Sequence, residues 1–391
     1  NGRAVPVSQA FTLTVNQAPA ITSNATATLR VGVPGTFTFT TTGFPAATLA
    51  LAGALPTGVT FTADSDGTGM LSGAPDAGTA GTYPLTVTAS NGVGVTATQN
   101  FVITVQDGPI ITSAAAATFV VGQQGTFSVT TGSSTPAVTN LTSTGTLPAG
   151  VTFVYQGNGT ATLAGTPGAG SGGTYPLVLA VTNGVDTSTQ NFTLTVQQAP
   201  AFTSAAATTL VQGVPGSFVV TSTGFPASTV SLTGTLPTGV TFTPHGNGSA
   251  LLAGTPLVGG SFSLTLQASN GVGAPVTQAF TLTVNASPAI TSPASTSFTT
   301  NVAGAFAVTT SAYPLASISL TGALPSGVTF VNNGNGTATL AGTPAAGTGG
   351  TYAVTLSASN GIGSPAIQAF TLTVRQAPAI TSAASASFNE I

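Results

Sequence analysis

All the charge in this 391-residue chain rests on six acids (Asp64, Asp66, Asp76, Asp107, Asp186, Glu390) and three arginines (Arg3, Arg30, Arg375), with His245 as the single histidine. Lysine and cysteine are absent. His245 lies in the loop PHGNGS with no carboxylate near it in sequence. General acid–base chemistry needs a positioned partner, so His245 reads as a solvated loop residue. Asp64, Asp66 and Asp76 are the densest acidic stretch. They could form a weak cation site or half of a glycosidase pair. The corresponding loops later in the chain read GNG, however, so the stretch reads more simply as a polar loop. No nucleophile motif or phosphate loop occurs. The run Gly-Asn-Gly-Thr at 157–160 and 334–337 is hairpin chemistry. We therefore expect no catalytic residue, no cofactor-binding residue, no metal ligand and no enzyme.

Two polar patterns remain. Asn-x-Ser/Thr sequons begin at Asn24, Asn140, Asn158, Asn191, Asn247, Asn285 and Asn335. Of these, Asn158, Asn247 and Asn335 occupy equivalent hairpin tips, where a sugar could be attached. Thr-x-Thr pairs recur as Thr12/Thr14, Thr193/Thr195, Thr281/Thr283 and Thr371/Thr373. A flat Thr face could bind glycan or ice, although threonine is also a good strand former on a solvated face.

The elements that position these residues follow from an internal period. The landmark Ile/Phe-Thr-Ser begins at Ile21, Ile111, Phe202, Ile290 and Ile380, so the repeat is about 90 residues long. Alternation of apolar and hydroxyl residues, as in Phe11-Thr12-Leu13-Thr14-Val15 and Tyr83-Pro84-Leu85-Thr86-Val87, marks half-buried strands. Pro-x-Gly (Pro56-Thr57-Gly58) and Asn-Gly (Asn91-Gly92) mark turns. Nothing has helical period. The expected fold is all-β: a tandem array of about seven-stranded Ig-like antiparallel β-sandwiches. A repeat of this length can bury its own core, unlike a solenoid unit.

The expected boundaries are 1–19 for the last strand of a preceding repeat plus linker, 20–106, 110–197, 201–285 and 289–375 for four complete repeats, and 376–391 for a linker and the first strand of a following one. The terminal pieces read as continuity along one longer polypeptide. Exchange of these strands between chains would need a repeat lacking its last strand, and none of the four lacks one. Short Pro-containing linkers such as QAPA are stiff. Beads of roughly 35–40 Å each would then make a rod on the order of 150 Å long.

The run LPxGVTF…GNGTATLAGTP…GTYxLTLxASNGVG…QAFTLTV resembles the "putative Ig" repeats, also described as dystroglycan-type cadherin-like domains, of bacterial secreted surface proteins and adhesins. The resemblance spans nearly the whole chain and implies the fold rather than an activity. Calcium-binding relatives carry Asp-rich turns where this chain has ASNGVG (89–94), VTNGVD (181–186), ASNGVG (268–273) and ASNGIG (358–363). Calcium wants six to eight oxygens, several of them carboxylate, so calcium at the joints is not expected. Lys–Asn cross-links, used by some surface Ig-like fibres, are excluded by the absence of lysine.

Only 2% of residues are charged and the net charge is −3. This gives no field to attract nucleic acid or anionic membrane. No run of 18 apolar residues could span a membrane. The expected function is a structural extracellular or cell-surface fibre or stalk segment whose partners are copies of itself or neighbouring repeats. The alternative is an adhesin segment that binds glycan or a surface through loops or Thr faces.

Overall fold

The computed structural model describes residues 6–378 together with 380, 382, 384, 385 and 387. It divides into two compact units, Asn1–Gln197 and Gln198–Ile391. Each unit holds two β-sandwiches with separate cores.

The first sandwich shows the plan. Its strands are β1 (Gln17–Ile21), β2 (Thr26–Arg30), β3 (Gly35–Phe44), β4 (Thr48–Ala52), β5 (Val59–Ala63), β6 (Thr68–Gly73), β7 (Gly81–Ser90) and β8 (Ala97–Gln106). One sheet has the order β1-β3-β6-β5 and the other β2-β8-β7-β4. All pairings are antiparallel except β2 with β8, which is parallel. The opening strand is thus split, β1 going to one sheet and β2 to the other, which gives eight segments where about seven strands are expected.

The period of two explains the core. In β8 Phe101, Ile103 and Val105 point inward and are fully buried, while Asn100, Val102 and Thr104 alternate with them on the other face. Phe37 and Phe39 of β3 cross the interior to meet Phe101, with ring centroids 4.8 and 4.7 Å away. The other three cores keep one such pair across the sheets: Phe127–Phe192, Phe218–Phe280 and Phe306–Phe370 at 5.1, 5.4 and 5.2 Å. The Pro56-Thr57-Gly58 turn also has a steric reason. Gly58 adopts φ +85°, and a β-carbon there would lie 2.1 Å from the Ala74 carbonyl oxygen.

Two expectations need correction. Residues 6–16 belong to no strand, although Phe11, Leu13 and Val15 alternate like β8. A strand exists only with a hydrogen-bonded neighbour, and no described strand pairs with this stretch. Thr12 and Thr14 therefore lie on no sheet face. Two of the Pro-containing linkers are not separate spacers either, whereas Asp107-Gly108-Pro109 lies outside any strand. β1 carries Pro19, and a single strand, Val276–Ile290, carries Pro288 between the third and fourth sandwiches. Both prolines sit where the register shifts, between Gln17 and Ala20 and between Ala286 and Ala289. At such an irregularity a residue without an N–H costs the ladder nothing. The expected strand within 376–391 falls mostly outside the described residues, as do Arg3 and Glu390.

Candidate functional site

The residues singled out for catalysis do not converge. His245 is exposed in its hairpin, and its Nδ1 lies 3.3 Å from the Ser249 hydroxyl. The acidic stretch is not a cluster in space. Asp64 and Asp66 belong to the β5–β6 hairpin, where the ladder ends at Ala63 and Gly69. Asp76 lies beyond the opposite end of that ladder, its N–H bonded to the Thr57 carbonyl. Five residues of ladder separate the two ends, about 14 Å, so Asp76 shares neither a cation nor a paired-carboxylate mechanism with Asp64 or Asp66. Asp66 accepts the Thr68 hydroxyl at 2.6 Å and the Thr68 N–H at 3.0 Å. The hydroxyl chiefly, and the N–H after it, hold its carboxyl below the ordinary value. Among the described residues no three of His, Cys, Asp and Glu are grouped to hold a metal.

The hairpin-tip sequons reproduce the Asp66 geometry with a neutral side chain. Asn158 Oδ1 accepts from the Thr160 N–H and hydroxyl at 3.2 and 2.6 Å. Asn247 does the same with Ser249, and Asn335 with Thr337. All three asparagines are exposed. Each is first of all a turn-closing residue, which explains its recurrence. Beside Asn158 a surface groove of about 470 Å³ is lined by Thr131, Ser133, Ser134 and Thr160 among others.

The Thr-x-Thr pairs, apart from Thr12/Thr14, lie on last strands with their neighbours in register. Thr195 stands between Thr118 and Thr174. Thr283 stands between Thr209 and Ser261, and Thr373 between Ser297 and Thr351. Each is a row of three hydroxyl residues across three strands. The companion positions are less regular: Thr193 is flanked by Ala116 and Pro176, Thr281 by Ala207 and Ser263, and Thr371 by Ser295 and Ala353.

Sequence reasoning missed two features. The first is the Asn of the Asn-Gly turns. Asn91 donates through Nδ2 to the carbonyls of Gln17 and Pro45, both at 2.8 Å, while its Oδ1 accepts the Val93 N–H. Asn270 and Asn360 repeat this with Gln198/Pro226 and Ala286/Pro314. Asn183 donates to the Asp107 carbonyl and is only 2% exposed. One carboxamide thus ties the chain entering a sandwich to loops at its end.

The second feature is a charged joint between the first and second sandwiches. Arg30, at the end of β2, forms an ion pair with Asp186. Asp107 accepts the Thr135 N–H at 2.6 Å, and its own N–H reaches the Thr135 carbonyl. A signal for this existed. Arg30, Asp107 and Asp186 each replace an uncharged residue at the equivalent position of the other repeats, and all three meet at one joint.

Residues 3–106, 108–197 and 286–375 match the model of the family described as Putative Ig domain. No curated protein matches the chain. Among solved structures, a three-domain I-band fragment of titin aligns at 15% identity and TM-score 0.47, covering 70% of this chain and 99% of that one. The first five immunoglobulin domains of Sidekick-1 align at 17% identity and TM-score 0.32, covering 93% and 81%. No helix among the described residues is long and apolar enough to cross a membrane.

Proposed function

Because the chain belongs to the Putative Ig domain family, we propose that it is a structural segment, a fibre or stalk, of a large extracellular bacterial surface protein that assembles with neighbouring repeats or copies of itself. One observation carries this reading. Each of four sandwiches closes its own core, and each is tied to the incoming chain by an asparagine clamp, so tension along the chain meets a core and a clamp in every repeat. Nothing in the role needs a metal, a disulfide or a catalytic group. The scarcity of charge leaves little repulsion against close lateral packing. Single-molecule stretching of the chain tests it. We expect four unfolding events of similar length, and imaging of the native material is expected to show thin rods or filaments. Unfolding of the whole chain at a force too low to resolve would sink the mechanical role.

The second reading, an adhesin segment, draws on the hydroxyl rows through Thr195, Thr283 and Thr373 and on the groove beside Asn158. Repetition would give it avidity rather than a single tight site. A glycan array probed with the whole chain decides this, and an empty array at millimolar glycan counts against it. Sugar attached at Asn158, Asn247 or Asn335 would appear in intact-mass analysis of native material.

A further inference from the structure

The last strand of each sandwich carries a glutamine where its alternation calls for an apolar residue. Gln99, Gln190, Gln278 and Gln368 stand two residues before the buried Phe101, Phe192, Phe280 and Phe370, so all four have the core-facing register. Opposite them on the neighbouring strand are Val87, Leu179, Leu266 and Leu356, all buried. An amide has a specific task there. Beyond Ile21 the opening chain leaves β1 and crosses to β2, so Ser23 falls outside both ladders. Gln99 Nε2 donates to the Ser23 carbonyl at 3.1 Å. Gln190 does the same for Ser113 and Gln368 for Ser292, both at 3.2 Å. This bond fixes how each carboxamide is turned: Nε2 faces the carbonyl, and Oε1 faces the other way.

Each crossing is left with two polar atoms to satisfy. The Oε1 atoms of Gln99, Gln190 and Gln368 are shut off from solvent and meet no hydrogen-bonding partner, and the same holds for the hydroxyls of Ser23, Ser113 and Ser292. Buried polar groups are costly without partners, and the same pair recurs in three sandwiches. The two atoms are complementary, since a hydroxyl can donate and a carboxamide oxygen only accepts. They belong to the two residues that the Nε2 bond joins, yet they do not bond each other. A group that accepts from one and donates to the other completes both, and at a core-facing position it must be small and neutral. We propose that the first, second and fourth sandwiches each hold one internal water at this crossing, which accepts the Ser hydroxyl and donates to Gln Oε1. The water ties the opening chain to the last strand beside the direct Nε2 bond. The third sandwich departs from this plan, because the Ser204 hydroxyl reaches the Thr221 carbonyl at 3.5 Å instead.

Magnetic relaxation dispersion of water oxygen-17, measured on the full chain in solution, counts the waters held inside it. Gln99→Met, Gln190→Met and Gln368→Met together keep the length of each side chain and remove its oxygen. The expected result is a loss of three held waters relative to the unaltered chain, one for each orphaned pair. Ser23→Ala, Ser113→Ala and Ser292→Ala together leave the Nε2 bonds in place. They should shorten the residence of the same waters about tenfold, since each water loses one hydrogen bond. A count that the glutamine variant leaves unchanged overturns the proposal. So does a residence time that the serine variant leaves unchanged, and this arm decides the matter if the glutamine variant does not fold. A high-resolution crystal structure is expected to show a water bonded to both Ser23 Oγ and Gln99 Oε1, and direct contact between those two atoms would overturn the proposal.

Discussion

The joint between the first and second sandwiches and the joint between the third and fourth connect the same fold in two ways. At the first, β8 stops at Gln106 and the chain passes through Asp107-Gly108-Pro109, held by a carboxylate on a backbone N–H and by the Arg30–Asp186 ion pair. The second sandwich never forms its opening strand segment; only a bridge between Ile111 and Thr131 stands in its place. At the other joint the strand Val276–Ile290 runs through, Ala286 is buried, and backbone and small side chains come close together. A β-carbon on Gly259 would lie 2.5 Å from the Ala286 β-carbon, whereas the first sandwich carries Ala80 at the equivalent position. Sandwiches of one plan thus vary their connections by trading close packing for charge, while each core keeps its aromatic pair across the sheets.

Four sets of substitutions test how far the joints and the cores are independent. The largest effect belongs to the cores. Phe192→Ala and Phe370→Ala should each cost their own sandwich about 3–5 kcal/mol, and denaturant unfolding should show the two losses to be alike. A clear inequality would mean that the joints leak into the cores. Next, Gly259→Ala should destabilise the packed joint by about 1–3 kcal/mol through overpacking. Ala80→Gly, which removes one methyl group from a half-buried position, should cost less, about 0.5–1 kcal/mol. Equal effects would erase the distinction between packed and open joints.

Smaller again is the ion pair. Arg30 and Asp186 are 42% and 35% exposed, so a double-mutant cycle of Arg30→Ala with Asp186→Ala should return about 0–1 kcal/mol. Screening should remove it at about 1 M salt. A coupling indifferent to salt would contradict the charged description of this joint. The smallest effect is at Asp66, in the β5–β6 hairpin of the first sandwich. Its folded carboxyl is held below the unfolded value, so its contribution is present above the unfolded value and lost as pH falls through the folded one. Asp66→Asn should remove that loss in acid titrations and leave neutral stability unchanged, because Asn158, Asn247 and Asn335 make the same two hydrogen bonds.

The sandwiches were legible because alternation and turn chemistry are local. Tyr83-Pro84-Leu85-Thr86-Val87 declares its faces without knowing its neighbours. The split of the first strand into β1 and β2 was not legible, since which sheet a strand joins depends on partners about 80 residues away, as in the pairing of Thr26 with Val102. Pro19 and Pro288 suggested breaks, yet the shifted register lets both remain in strands. Thr12 and Thr14 show the complementary point: a strand pattern becomes a strand only beside a neighbouring edge. Among candidate sites, the hairpin turns at Asn158, Asn247 and Asn335 followed from composition. The Asp64–Asp76 grouping failed because closeness in sequence spans a whole ladder in space. The meeting of Arg30, Asp107 and Asp186 needed the relative placement of two sandwiches that no local pattern encodes.

The asparagine clamps also set how this material ages. Asn91, Asn183, Asn270 and Asn360 are each followed by glycine, the neighbour that least hinders loss of ammonia from an asparagine side chain. Conversion to a carboxylate would replace the Nδ2 donor with an acceptor. The carbonyls of Gln17 and Pro45, now hydrogen-bonded to Asn91, would then face negative charge. The same hydrogen bonds hold the Asn91 carboxamide in its turn. Each repeat therefore carries its own clock, set at the residue that ties it to the incoming chain.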